Sequence, residues 1–419
     1  MAKLPPLKDP HGMLYFTIGF RNIAKNIRKN MLTLLMVSFG MVALFIYNGS
    51  NSQMFRQFKD MVIHEQYGYF QLHAKGYAES GRKAPYDYLI TDYKRLKSKL
   101  MRDEDIDYVA PRLNFTGIAS SDEKSVVVKG FGGDPAAEAR MEYGKVKDGA
   151  FLSDGQTGEA IIGDLALNRL SSPIGSSLTV LSSMKGGGMS AVDLRITGTK
   201  KGYGESDVAN QMFILADLQS VQNLIGAPDA VDTIIVHLKN DRSIARKESN
   251  IADFCDKNGL EYRRWDDLAV FYERSREVFA MNENILTGII LIISVFIIIN
   301  TLYMAYMGRI REIGTMRSIG TTKAQIVLIA VFESVILSTL GCALGVAVGS
   351  VISLFINASG GIYHPASVFN DSAYHTLIKP EALSVAAYFL LFVCISIVAS
   401  LVISFRALRL SIADSLRWN

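Results

Sequence analysis

Residues able to do chemistry are few in this chain, and their spacing does not favour catalysis. Six histidines (His11, His64, His73, His237, His364 and His375) are scattered, and none stands in an H-E-x-x-H or other metal-ligand spacing. His64 and His73 bracket a tyrosine-rich strand, a setting that suits surface or hydrogen-bonded histidines better than a metal centre. No G-x-S-x-G turn is present to expose a serine nucleophile. No G-x-x-x-x-G-K-[ST] loop is present to cradle nucleotide phosphates, and Gly186–Gly188 is a flexible turn with no Lys-Ser/Thr behind it. Cys342 and Cys394 fall in apolar runs and Cys255 stands alone, so the three cysteines imply no disulfide framework. The expectation is a chain with no catalytic, cofactor-binding or metal-binding residues of its own. Glu333 is the exception that asks for an explanation. It interrupts an apolar run about eight residues in, ~12 Å deep at ~1.5 Å per residue. A carboxylate at such a depth needs a partner or a functional role. A hydrogen bond within a helix bundle is the favoured reading, ahead of a substrate contact.

The elements that would position Glu333 are four apolar runs, at 31–50, 285–308, 324–357 and 382–405. Each reaches the ~20 residues that cross a bilayer and exceeds the ~11–12 residues of an ordinary core helix. The first run is too long for a signal-peptide core and is followed by Tyr47-Asn48-Gly49-Ser50 instead of a cleavage site, so it reads as an uncleaved anchor. Cations cluster before the first run (Arg21, Lys25, Arg28, Lys29), between the second and third (Arg309, Arg311, Arg317, Lys323) and after the fourth (Arg406, Arg409, Arg417). The loop at 358–381 carries only Lys379. The positive-inside rule then places both termini and the 309–323 loop in the cytoplasm. Basic residues are accounted for by this topology, and no nucleic-acid role is supported.

The fold class expected is an integral membrane α-helical protein with four transmembrane helices and a large α+β extracytoplasmic domain between helices 1 and 2. Residues 1–30 form a cytoplasmic amphipathic segment, 51–284 the extracytoplasmic domain, 358–381 a second external loop and 406–419 a cytoplasmic tail. In 51–66 apolar residues recur at helical spacing, predicting an amphipathic stalk that continues the first span, with a matching stalk at 266–284. Between them β-rich runs (Tyr69–His73, Val126–Lys129, Leu178–Leu181, Leu194–Thr199, Thr233–Leu238) alternate with helical stretches at 87–102, 216–225 and 242–258. The 150–215 part is strand-dominated and is expected to form a lobe inserted into a discontinuous α+β core.

In the 309–323 loop, Ile310, Ile313, Met316 and Ile319 recur every three residues, predicting a short amphipathic helix. Gly320 can end it in a left-handed cap, and Thr321 or Thr322 can cap the next helix. Its apolar face fits either a partner surface or the lipid interface. Gly341, Gly345 and Gly349 form a small-xxx-small stripe that permits close helix approach, either within the chain or in a dimer.

The string Arg311-Glu312-Ile313-Gly314-Thr315-Met316-Arg317-Ser318-Ile319-Gly320 resembles the E-I-G-x-x-[KR]-A-[IL]-G signature of FtsX/MacB/LolC-LolE-like ABC transporter permeases, with Ser318 for the usual alanine. Arg21-Asn22-Ile23 and Arg28-Lys29-Asn30 resemble that family's entry into its first span, and 406–417 resembles its closing motif without the proline. The resemblance implies a MacB-type, four-helix permease without a fused ATPase, a non-catalytic subunit in the bacterial inner membrane with its large domain in the periplasm. It implies a cytoplasmic ABC ATPase dimer as partner, which would hold ATP and Mg, and a second permease copy or related permease. Arg309, Arg311, Glu312, Ile313, Gly314, Met316, Arg317 and Gly320 would form the ATPase-coupling helix, with Ile313 and Met316 packing on the ATPase. ATP-driven closure would pass through the stalks to the periplasmic domain, a process called mechanotransmission. The function expected is extraction or extrusion of a lipoprotein or other hydrophobic substrate from the outer leaflet of the inner membrane, with a periplasmic lipoprotein, carrier or adaptor as a further partner. The alternatives are efflux of peptides or small molecules with a periplasmic adaptor, and signalling to a cell-wall enzyme without transport.

Overall fold

The computed structural model describes residues 21, 27–81, 84–121, 124–141, 146–200, 211–365 and 374–408. The N-terminal amphipathic segment and its entry motif, and the closing motif beyond Leu408, lie almost wholly outside them. The first apolar run belongs to α1 (Ile27–Met61), 35 residues without a proline to break its hydrogen-bond ladder. A π-helical turn follows at Val62–Tyr67. The elements after it are β1 (Phe70–Ala74), α2 (Tyr93–Leu100), β2 (Ile106–Ser121), β3 (Lys124–Gly133), α3 (Pro135–Arg140), β4 (Asp148–Gly149), β5 (Glu159–Gly163) and α4 (Asp164–Leu170). Next come β6 (Ser177–Ser183), β7 (Met189–Lys200), β8 (Phe213–Asp217), α5 (Leu218–Ile225), β9 (Thr233–Leu238), α6 (Ile244–Asn258), β10 (Leu260–Arg264) and α7 (Trp265–Leu268). The chain then runs through α8 (Val270–Met307), α9 (Ile310–Ser318), α10 (Lys323–Ala358) and α11 (Ala382–Ala407). Two compact units result. One takes in the described residues up to Phe55, Arg276–Tyr363 and those from His375 on; the other is Arg56–Ser275 with the described part of His364–Tyr374.

In the first unit α1, α8, α10 and α11 are each long and apolar enough to cross a membrane. Their shared core is Val37, Met41 and Leu44 of α1, Ile298 and Leu302 of α8, Cys342 of α10, and Phe392, Ala399 and Ile403 of α11. The glycine stripe of α10 faces α1 of the same chain. A Cβ added at Gly341 would stand 2.9 Å from Val37 Cβ, one at Gly345 2.8 Å from the Ser38 carbonyl oxygen, and one at Gly349 2.8 Å from the Phe45 ring. The stripe therefore packs two helices of one chain. Some hydroxyls on these helices turn back to their own backbone, as Ser294 Oγ does to the Ile290 carbonyl and Thr301 Oγ1 to that of Ile297, both at 2.7 Å, while Ser396 Oγ of α11 donates to the Ser334 carbonyl of α10 at 3.3 Å. At one end of the bundle Glu283 of α8 accepts hydrogen bonds from Asn48 Nδ2 (3.1 Å) and Asn51 Nδ2 (2.7 Å) of α1. A turn further along, the rings of Phe55 and Phe279 meet edge to face at 5.2 Å.

The second unit is built on one ten-stranded sheet, in the order β10-β1-β9-β2-β3-β8-β5-β7-β4, with β6 bridging β2 and β7. Because β6 closes that path, β2, β3, β8, β5, β7 and β6 form a six-stranded closed ring, while β10, β1 and β9 extend a wing from the first half of β2. The strand-rich lobe thus begins earlier than the expected 150–215: the second half of β2 and all of β3 belong to it. The 16-residue β2 reads poorly as a strand because it carries Pro111 and Gly117. Pro111 sits opposite Ile234 in the β9 ladder. At Gly117 the β6 backbone comes so near that a Cβ would lie 2.5 Å from the Leu181 carbonyl oxygen. From Leu113 to Ala119 the strand alternates, with Leu113, Phe115 and Ala119 inward and Asn114, Thr116 and Ile118 outward. Inside the ring Phe115, Val128, Ile162, Leu178, Val180, Leu194, Ile196 and Ile214 are buried.

The end of α1 and the start of α8 also meet within this unit. Phe58 packs on Phe271 and Tyr272, at 6.2 and 5.3 Å between ring centroids, and Tyr272 packs on Trp265. Lys59 pairs with Asp241 at 2.8 Å, and Asp241 also accepts from the Tyr69 hydroxyl.

Candidate functional site: the short helix between the second and third spans

Helix α9 occupies the loop between α8 and α10, and its ends are closed by backbone chemistry. Gly320 takes φ +106°, Gly320 N–H donates to the Arg317 carbonyl (3.2 Å) and Thr321 N–H to that of Met316 (3.0 Å). This pattern is the paired 5→2 and 6→1 arrangement of a glycine-terminated helix. Two residues on, Thr322 Oγ1 accepts from Gln325 N–H and Gln325 Oε1 from Thr322 N–H, a capping box that starts α10. The turn between the two helices is therefore fixed on both sides.

The inward face of α9 is apolar. Ile310 and Ile313 are buried, and Ile313 packs on Ile326 of α10 and Leu408 beyond α11. Gly314 is buried beside them. Arg309, at the N-terminal end, also turns inward: its Nη1 lies 2.9 and 3.0 Å from the two carboxylate oxygens of Glu333, and its Nε lies 3.4 Å from Glu312. Ile313 and Arg309, both expected to face a partner, thus face their own bundle. The reason is local: an isoleucine on the α10 side of so short a helix has an apolar neighbour within reach, and a buried Glu333 needs a cation. The outward face carries Arg311, Glu312, Thr315, Ser318 and Ile319, all exposed, with Met316 and Arg317 half-buried. Ile319 is 81% exposed, an apolar side chain at the tip of a helix that no described residue covers. The hydrogen-bonding role expected of Glu333 has its partner in Arg309. That pairing was not legible because 24 residues separate the two and no periodicity links them.

Histidines gather in the second unit without forming a metal centre. His237 is buried, stacks on Tyr108 at 4.3 Å and lies 5.9 Å from His64 between ring centroids. Burial pushes His237 down to about 3, and burial also lowers His73, whose Nδ1 lies 2.9 Å from the Asp232 carbonyl oxygen. Both rings are neutral at ordinary pH. Burial raises the Asp232 carboxyl to about 6 although Asn114 donates to it. Arg112 and Glu138 form a buried bidentate pair, both contacts 2.7 Å, that ties β2 to α3. Burial pushes the Cys255 thiol up to about 12, so it packs as an inert apolar side chain. Among the described residues, no three His, Cys, Asp or Glu side chains come together closely enough to hold a metal ion.

Comparison with known proteins finds two family matches along the chain. Residues 284–412 match the FtsX-like permease C-terminal family, and residues 31–254 match the MacB-like periplasmic core domain family. The lipoprotein-releasing system transmembrane protein LolE of Haemophilus influenzae is 22% identical over 343 residues, covering 78% of this chain and 81% of that protein. Among solved structures, the periplasmic region of MacB from Actinobacillus actinomycetemcomitans matches with a TM-score of 0.37 and 16% identity, covering 49% of this chain and 93% of that one. The extracellular domain of the noncanonic ABC-type transporter YknZ from Gram-positive bacteria matches with a TM-score of 0.34 and 14% identity, covering 47% and 98%. The chain, with its membrane-spanning helices, its periplasmic-type α+β domain and both family matches, belongs to the FtsX/MacB/LolE-like permeases of ABC transporters.

Proposed function

We propose that this permease subunit couples ATP hydrolysis by a separate cytoplasmic ATPase dimer to conformational change in its large domain, with α9 as the coupling helix. ATP and Mg reside on the ATPase. The charge distribution supports an orientation with both termini and α9 in the cytoplasm and the 56–275 unit in the periplasm. The observation that carries the reading is the attachment of α9. A push on its exposed face reaches the third span through Ile313–Ile326 and through one side chain, Arg309, that touches both Glu312 and Glu333. The outward residues Arg311, Glu312, Met316 and Arg317 are the contacts a groove on the ATPase would take. Two permease copies, or this chain and a related one, would work together on the ATPase pair.

A relative named for what it does suggests the substrate class, since LolE belongs to a lipoprotein-releasing system. We take the substrate here to be a lipoprotein or other hydrophobic molecule removed from the outer leaflet of the inner membrane. The test is Glu312→Lys and, separately, Met316→Asp in the assembled complex. Each should insert normally yet lose about tenfold or more of ATP-driven substrate release, the scale of one interface contact worth ~1.4 kcal/mol. Wild-type release in both variants would overturn the coupling role of α9.

A further inference from the structure

The joint between the end of α1 and the sheet of the second unit is built on a column of stacked rings. His237 of β9 is only 1% exposed. It lies between Tyr108 of β2, at 4.3 Å, and His64 of the π-helical turn, at 5.9 Å. Beyond Tyr108 the Arg140 guanidinium covers the ring face at 4.4 Å, and Tyr69 meets His237 edge-on at 6.2 Å. Backbone just after the turn closes over a ring nitrogen: at Gly68, with φ +66°, an added Cβ would stand 3.1 Å from His237 Nε2. Among the described residues, neither ring nitrogen of His237 has a hydrogen-bond partner, and the Tyr108 hydroxyl has none either. A buried polar ring without partners is costly. This one is held by stacking and burial alone.

The turn that covers His237 also seats the end of α1. Val62 and Ile63 are buried. Gly68 N–H donates to the Ile63 carbonyl (2.8 Å), Tyr69 N–H to that of Val236 (2.9 Å) and Arg112 Nη1 to that of Gln66 (3.3 Å). A single π turn is a rare element that concentrates at functional places. The surroundings of His237 oppose a proton on it from every side. Burial holds its pKa at about 3 against an ordinary 6.5, and His64 from the turn, Arg112 from β2 and Arg140 from α3 push the same way. The carboxylates of the region are engaged elsewhere: Asp107 with Arg140, Glu138 with Arg112, Asp241 with Lys59, and Asp60 beside Lys59, Arg56 and His64. A proton on His237 therefore has no counter-charge while the turn is seated.

We propose that the turn at 62–68 is an acid-released latch, which seats the end of α1 on β9 while His237 is neutral and lets go when His237 takes a proton. With the turn lifted, the ring meets water and titrates at its ordinary value. The open state then binds the extra proton. The hold of the latch is thus complete above about pH 6.5 and weakens as pH falls below that value toward about 3. From about pH 7.5 to 5.5 the ratio of seated to open turns should fall roughly tenfold, following the protonated fraction of the freed ring. The latch lies wholly within the second unit and needs neither the ATPase nor α9. Its failure and the failure of the coupling role are therefore distinguishable.

The test is amide hydrogen exchange of the full chain in detergent, read by peptide mass spectrometry at those two pH values. His237→Phe is measured alongside, since phenylalanine keeps the stack and cannot titrate. The ratio of wild type to variant at each pH cancels the intrinsic pH dependence of exchange. Between the two pH values the 62–69 segment of the wild type should lose about tenfold of its protection relative to the variant, while β6 in the closed ring keeps its ratio. A 62–69 ratio that stays constant with pH overturns the proposal. Equal loss over β6 also overturns it, because acid would then unfold the whole domain and not release the turn. If His237→Phe does not fold, the wild type alone decides. Exchange of the His237 ring C2 proton should show a midpoint well below 6.5, and the 62–69 segment should lose protection over the same range. A His237 that takes its proton while the turn stays protected overturns the latch.

Discussion

Two buried carboxylates show how differently the same group is accommodated in the two units. Glu333 has a cation: Arg309 meets both of its oxygens. Breaking such a pair from one side costs ~3–5 kcal/mol, because it strands a charge, whereas replacing both partners with apolar residues is often near neutral. Arg309→Met and Glu333→Leu should therefore each lower thermal stability in detergent sharply, and the double variant should recover most of the loss; additive losses would show that the two do not interact. Asp232 has no cation among the described residues. Asn114 donates to its Oδ2 through both N–H (3.3 Å) and Nδ2 (2.8 Å), while Oδ1 is without a described partner. Burial lifts its pKa from 3.8 to about 6, so the folded domain keeps a proton that the unfolded chain releases. A folded-state pKa above the unfolded one means this contribution to stability is complete below about pH 4 and is lost as pH rises through about 6. Asp232→Asn should gain on the wild type across that interval, by about 2–3 kcal/mol at its upper end. The check is urea unfolding followed by Trp265 fluorescence in a Trp418→Phe background. A difference between the two proteins that stays flat with pH would show Asp232 already ionised throughout.

At the scale of elements, legibility followed how local the determining signal was. The four long helices announce themselves through runs of apolar residues, and the caps of α9 and α10 through Gly320 and the pair Thr321 and Thr322, of which Thr322 takes the cap, because each depends on residues within a turn or two. The glycines at 341, 345 and 349 were legible as a close-packing face, but which helix they approach depends on chain returning from about 300 residues away. Strand β2 was missed since Pro111 and Gly117 are poor strand residues; both are tolerated because β9 and β6 supply the pairing and the close backbone approach. Closure of the ring through β6 is a purely long-range fact and leaves no trace in local pattern. The glycine contact can be tested against a matched control. At Gly345 an added Cβ would meet Met41 Cβ at 2.7 Å and the Ser38 carbonyl oxygen at 2.8 Å, while at Gly288 it meets nothing within 4 Å. Gly345→Ala should cost ~1–3 kcal/mol through forced separation of α1 and α10. Gly288→Ala, on a face of α8 with open space, should leave stability unchanged or raised. Equal effects on thermal unfolding in detergent would remove the α1–α10 contact as the reason for glycine at 345.

For the whole molecule, the part that sequence alone could not supply is how a short helix at one end of the bundle reaches the other end. In the first unit, α9 is joined to α10 by Arg309–Glu333, α10 lies on α1 along the glycine stripe, and α1 lies on α8 through Asn48, Asn51 and Glu283 and then Phe55 and Phe279. Each contact in that series is short and specific, so α9, α10, α1 and α8 are joined one to the next. Helices α1 and α8 are 35 and 38 residues long, well beyond the ~20 that cross a bilayer. If α1 and α8 are the levers of ATP-driven change, their separation at Phe55 and Phe279 must vary during the cycle. Cysteines placed at 55 and 279 in a chain with Cys394 replaced, and joined by a short bis-maleimide, hold the two helices together at that level. The joined complex should still bind ATP but lose substrate release, by at least about tenfold, the change that ~1.4 kcal/mol produces. The same protein with each cysteine capped singly should work normally, which separates the tether from the substitutions. Release at the full rate with the helices joined would mean that α1 and α8 move as one body, and that the motion reaching the periplasmic-type domain travels by another path.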